Sequence, residues 1–137
     1  MTLAFTESAK IWVGRLRPDF LDRCKPVDDK CTGSAKSVEE GRKSFFSGHS
    51  SISFYGITYL VFWMLEEGWL LLGFYVGRRV TPGFVLLFSM IPLMLPAYVA
   101  ISRSQQYIHH PTDIITGSLF GSLIAYVMVF YHYRYKK

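Results

Sequence analysis

The sequence predicts an all-α fold, a polytopic bundle of transmembrane helices, on three observations. Half of the 137 residues are hydrophobic and 17% are aromatic, and the mean hydropathy is +0.22; that is high for a water-soluble domain. Two windows carry no charge, about 19 residues over 83–101 and about 18 over 114–131, each near the length that crosses hydrocarbon. Ionisable residues collect at the borders of these windows instead of inside them.

The elements follow in chain order. The opening "MTLAFTESAKIWVG" lacks the basic start, long apolar run and small-residue cleavage site of a signal peptide and reads as the tail of a helix. Residues 14–49 form one long polar connection. A helix is expected at about 50–65, a window of about 16 residues that Glu66 and Glu67 interrupt; the pair marks a helix end. "WLLLGFYVG", residues 69–77, is too short to span alone and extends that helix or lies in the interface. Helices follow at about 83–101 and 112–131, the last with Pro111 in its first turn. With no internal repeat or low-complexity tract, residues 1–137 are one domain.

The net charge of +5 and pI near 9.3 raise nucleic acid as a partner. Lys and Arg are spread between the helices with no basic helix face or nucleic-acid motif, so that class is excluded. Cys24 and Cys31 lie in the polar connection, close enough to bridge in an oxidising compartment and equally allowed as free thiols. No suitably spaced ligands accompany them to hold zinc.

Three clusters of ionisable residues border helix ends: Lys10 with Arg17 and Pro18; Ser47, Gly48 and His49; and Ser102, Arg103, His109 and Asp113. An ionisable residue at a membrane edge is a functional-site candidate. Counting crossings brings all three clusters to one side. Lys10, Arg17 and Arg103 offer positive charge and planar donors to a tetrahedral anion. Ser47 and Gly48 precede a helix whose free N–H groups favour the same guest, which makes phosphate the expected ligand. His109 and Asp113, four residues apart, share one helix face. Asp113 is expected to fix the tautomer of His109, leaving its other ring nitrogen to attack phosphorus. His49 is expected to protonate the leaving alcohol and then activate water. This scheme calls for no metal and no cofactor. His110 receives no catalytic role and is expected to face solvent or support the site.

K-x6-RP, SGH and SR-x5-H-x3-D, in this order, resemble the three signature motifs of the type 2 phosphatidic acid phosphatases. "GRLRPDFLDRC", "EGRKSFFSGHSS" and "HHPTD" look like the integral-membrane lipid phosphate phosphatase branch, over nearly the whole chain. The resemblance implies metal-independent dephosphorylation of phosphatidate, lysophosphatidate, sphingosine 1-phosphate or ceramide 1-phosphate. It implies His109 as nucleophile, Asp113 as its partner, His49 as acid, and Lys10, Arg17, Ser47, Gly48 and Arg103 as phosphate holders. Its fold is a six-helix bundle shared with the haloperoxidases, of which this chain resembles the C-terminal part, without the first two helices and most of the third. Phe46 stands where many members of the wider superfamily have proline.

Charge asymmetry alone puts the site in the cytosol, because the motif side carries more Lys and Arg than the side of Arg78, Arg79, Arg134, Lys136 and Lys137. The resemblance implies instead an extracellular or luminal site, in the plasma membrane or an endomembrane. The alternative function is a catalytically silent isoform that binds lipid phosphate or pairs with copies of itself or with full-length partners. A haloperoxidase fits these apolar helices poorly.

Overall fold

A computed structural model describes residues 2–68 and 81–135, and they are mostly helical. Helix α1 runs Thr2–Val13 and ends where Gly14 takes φ +60, its N–H returning to the Lys10 carbonyl at 3.1 Å. Only glycine enters that left-handed conformation without steric cost, and this is the usual way a helix stops.

The polar connection is more ordered than its composition suggests. It folds into α2 (Phe20–Cys24), the paired strands β1 (Pro26–Val27) and β2 (Lys30–Cys31), and α3 (Ala35–Gly41). Asp28 and Asp29 both take positive φ, 47 and 60, the geometry of a two-residue hairpin turn. A Cys24–Cys31 disulfide closes this small unit, so the thiols are bridged. Ser34 caps α3 through the Ser37 N–H.

Helix α4 (Gly48–Trp63) starts at the cap residue Ser47 and passes into a π turn, Met64–Gly68, that contains Glu66 and Glu67. The expected segment 69–77 lies outside the described residues, as do the cations at 78, 79, 136 and 137. Helix α5 (Pro82–Met90) continues through a 3-10 turn, Ile91–Leu93, into α6 (Met94–Gln105). Pro92, lacking an N–H, accounts for the interruption of the α-helical ladder there. Helix α7 spans Pro111–Tyr135.

Two helical stretches, Gly83–Gln105 and Pro111–Tyr135, are long and apolar enough to cross a membrane. Their outward residues, such as Leu87, Met94, Leu119 and Phe130, stay exposed as lipid contact requires.

The main packing is α4 against α7, along a stripe of small residues. Asp113, Gly117, Gly121, Ala125 and Val129 recur every four positions of α7 and are all buried. A Cβ on Gly117 would stand 2.6 Å from the Ser47 carbonyl oxygen. One on Gly121 would meet the Ser51 carbonyl oxygen at 2.1 Å. The helix backbones therefore approach as closely as glycine permits, the small-x3-small mode of packing in lipid. Because Asp113 belongs to this stripe, the packing that joins the two helices also sets the candidate site.

Candidate active site

Lys10 occupies the last turn of α1, where a cation complements the helix dipole. Its side chain is 12% exposed and its Nζ lies 2.6 Å from Glu7 Oε1. A Cβ on Gly48 would come within 3.2 Å of that Nζ, so the bare backbone of Gly48 is what lets the ammonium reach the start of α4.

Arg17 follows in the connection, anchored by its N–H to the Gly41 carbonyl at 2.8 Å. Its guanidinium lies 3.6 Å from Glu40 and is mostly buried, with Nε lacking a hydrogen-bond partner among the described residues. Burial first, and then the nearby Arg23, lowers its pKa from the ordinary arginine value. A buried donor with no partner is a place for an acceptor. Arg103, at the end of α6, makes long contacts of 3.4 Å, from Nε and Nη2 to the Ser102 hydroxyl.

Ser47 is fully buried, and its Oγ accepts from the Ser50 N–H at 3.4 Å and the Ser50 hydroxyl at 3.1 Å. That oxygen is already engaged in capping α4. His49 is exposed in the first turn of α4. The buried part of its ring, then Arg103, Lys10 and Arg17, push its pKa below the ordinary value. The cations of all three clusters thus act on one imidazole.

His109 precedes α7 and is 2% exposed, with Nδ1 buried and unpaired among the described residues. Its pKa falls to about 4, chiefly through burial and then the charge of Arg17; a backbone hydrogen bond with Ser44 and the charge of Asp113 oppose the fall. The ring is neutral at physiological pH, the state a nucleophilic imidazole needs.

Asp113 is fully buried but does not hydrogen-bond His109. Arg15 Nη1 donates to Oδ1 at 2.6 Å, the Ser44 hydroxyl to Oδ2 at 2.5 Å, and the His110 N–H to Oδ2 at 3.2 Å. As the third residue of α7, Asp113 folds back over the helix start, where Arg15, Ser44 and the His110 N–H occupy its oxygens. It acts on His109 through charge instead of through the expected hydrogen bond.

Sequence reasoning missed Arg15 and Ser44, and placed His110 only loosely. Arg15 is an unlabelled position inside K-x6-RP, and Ser44 lies three residues ahead of Ser47. His110 supports the site: its Nε2 lies 3.1 Å from the Leu16 carbonyl oxygen.

A cleft of about 430 Å³ opens between α1, α4 and α6, lined by Lys10, its partner Glu7, Gly48, His49 and Ser53 and by the apolar Leu3, Ile52 and Val99. A cation, an imidazole and an aliphatic wall share one opening.

The chain is 39% identical to diacylglycerol pyrophosphate phosphatase 1 of Saccharomyces cerevisiae over 97% of its own length and 47% of the relative's. It is 33% identical to phospholipid phosphatase 1 of Rattus norvegicus, over 93% and 47%. With lipid phosphate phosphatase 1 of Arabidopsis thaliana the identity is 37%, over 91% and 39%. The chain therefore spans about half the length of these curated relatives or somewhat less. No solved structure gives a significant match. The model of the PAP2 superfamily matches residues 1–137, and the chain, mostly helical with its basic and histidine clusters in order, belongs to that superfamily.

Proposed function

We propose that the chain is the catalytic part of a membrane-bound lipid phosphate phosphatase that works through a phosphohistidine. The observation that carries this reading is the convergence of Lys10, Arg17 and Arg103 on His49, beside a cleft with an apolar wall. The three cations hold the phosphate oxygens and the charge that develops on them. The apolar wall receives the lipid's glycerol or sphingoid end.

His109 attacks phosphorus as the bond to the ester oxygen breaks, and His49 gives its proton to the departing alcohol. Burial and then the cations lower the pKa of His49, and the charge of a bound dianion opposes them, which favours the protonated acid when it is needed. Water then attacks the phosphohistidine, His49 takes its proton, and inorganic phosphate leaves as the P–N bond breaks. Phosphatidate, lysophosphatidate, sphingosine 1-phosphate and ceramide 1-phosphate are the substrates this chemistry suits, and the helices belong to a six-helix bundle in the same reading. The Cys24–Cys31 disulfide, in the connection that also carries Arg17, supports an extracellular or luminal face, since such bonds persist in oxidising compartments.

Phosphate release from phosphatidate in detergent micelles containing EDTA, by the purified chain and by its His109→Ala form, tests the reading. Release by the first alone is expected. Equal release by both removes the nucleophile assignment, and none from either folded sample moves the function to lipid phosphate binding.

A further inference from the structure

We propose that Arg15, together with Ser44, is a positioning residue that holds the Asp113 carboxylate and through it sets the stance of His109; this rests on the reading of His109 as nucleophile. Three hydrogen bonds close a ring. The Ser44 N–H donates to the Arg15 carbonyl at 2.9 Å. The Ser44 hydroxyl donates to Asp113 Oδ2 at 2.5 Å, and Arg15 Nη1 donates to Asp113 Oδ1 at 2.6 Å.

Each corner belongs to a different part of the chain. Arg15 lies between Lys10 and Arg17, Ser44 precedes the start of α4, and Asp113 sits in the first turn of α7. The same Nη1 also reaches the Thr112 hydroxyl at 2.8 Å, which fixes the guanidinium against that turn from two directions. The link to the imidazole runs through the next residue: the His110 N–H donates to Asp113 Oδ2 at 3.2 Å, so a movement of Asp113 is passed to the main chain that carries His109.

Charge makes Arg15 necessary. Asp113 is fully buried, and removing the cation of a buried ion pair leaves an uncompensated charge with a desolvation cost. Lys10 and Arg17 face the histidines, leaving Arg15 as the cation bound to the carboxylate. Arg15 itself is 38% exposed, and its side-chain contacts go to Asp113 and Thr112, which separates its task from that of the phosphate holders.

The test measures kcat and KM on phosphatidate micelles for the wild-type chain, Arg15→Gln, Arg15→Lys, Asp113→Asn and the double variant Arg15→Gln/Asp113→Asn. Arg15→Gln is expected to lower kcat about thirtyfold with KM within about threefold, and Arg15→Lys to recover part of the loss. The double variant should be within about twofold of Asp113→Asn, because the two residues act as one unit. An unchanged kcat, a loss confined to KM, or losses that multiply in the double variant would each overturn the proposal.

A second measurement does not depend on turnover: the nitrogen resonances of the His109 ring in 15N-histidine-labelled protein in micelles. They are expected to move in Arg15→Gln and in Arg15→Lys by less, and to stay in place in the control Arg23→Gln, whose arginine pairs with Asp19. Wild-type protein without turnover but with His109 signals that respond to Arg15 would sink the phosphatase reading and keep the positioning role. Signals indifferent to Arg15 would sink the positioning role whatever the turnover.

Discussion

The backbone N–H of Ser47 donates to the carbonyl oxygen of Asp113 at 3.0 Å. This single bond ties the residue that caps α4 to the first turn of α7, so His49 and His109 are carried by two helix starts joined main chain to main chain. Side-chain substitutions cannot remove it, but a shift of either helix can.

Asp113→Asn should lower the rate about a hundredfold while orthovanadate inhibition stays within about threefold, because the carboxylate acts on His109 and not on the phosphate. Steady-state rates and inhibition constants in micelles check this. A loss of vanadate affinity as large as the loss of rate would place Asp113 among the phosphate holders.

The depressed pKa of His109 makes stability depend on pH. Its folded value of about 4 lies below the ordinary 6.5, so between them the unfolded chain binds more protons than the folded one. Stability from this source is complete above about pH 6.5 and declines as the pH falls towards 4, by roughly 3 kcal/mol in all. Thermal melts across that window should fall less steeply for His109→Gln than for wild type. Parallel curves would show the ring to be ordinary. The groups facing it are Arg17, Lys10, Asp113 and the Ser44 backbone.

Gly121→Ala should cost about 1 to 3 kcal/mol, because the added methyl meets the Ser51 carbonyl and backbone must move. Gly56→Ala, in the middle of α4 with nothing within 4 Å of the added methyl, should be neutral or stabilise by about 0.5 to 1 kcal/mol. Denaturation midpoints in one detergent compare the two. Equal effects would mean that α4 and α7 do not meet at Gly121.

Reduction of the Cys24–Cys31 disulfide should raise KM more than it lowers kcat. The disulfide closes a unit that also holds Arg17: a Cβ on Gly41, the residue that receives the Arg17 N–H, would stand 2.9 Å from Phe20 and 3.1 Å from Arg23. Loosening α2 and α3 therefore frees Arg17, the proposed phosphate holder, while His109 sits on the chain before α7. Kinetics with and without a thiol reductant check this, and a pure kcat effect would contradict it.

Much of the site was legible because its chemistry is local. His109 and Asp113 lie four apart on one chain segment, and Ser47, Gly48 and His49 are consecutive. Lys10, Arg17 and Arg103 were readable as cations at helix borders. The partners of Asp113 were not, because Arg15 and Ser44 stand 98 and 69 residues away from it. No periodicity connects residues at that separation. The long helices announced themselves by apolar length, whereas α2 and α3 are too short to show a face and the hairpin turns on Asp28 and Asp29 without the usual glycine. Gly117 and Gly121 were visible as letters, but only the facing carbonyls of Ser47 and Ser51 give them meaning.

The four-residue stripe on α7 turns helix rotation into a control on chemistry. An α-helix turns about 100° per residue, so slipping α7 by one position against α4 would swing Asp113 a quarter-turn and more out of its seat. Glycine at 117 and 121 leaves no side-chain knobs there to cushion such a slip, and the carbonyls they touch act as detents with a single tight setting. A neighbouring helix that rotates α7 would then act on Asp113 without touching Lys10, Arg17 or Arg103, so the packing of the two helices and the seat of the buried carboxylate are one mechanical variable.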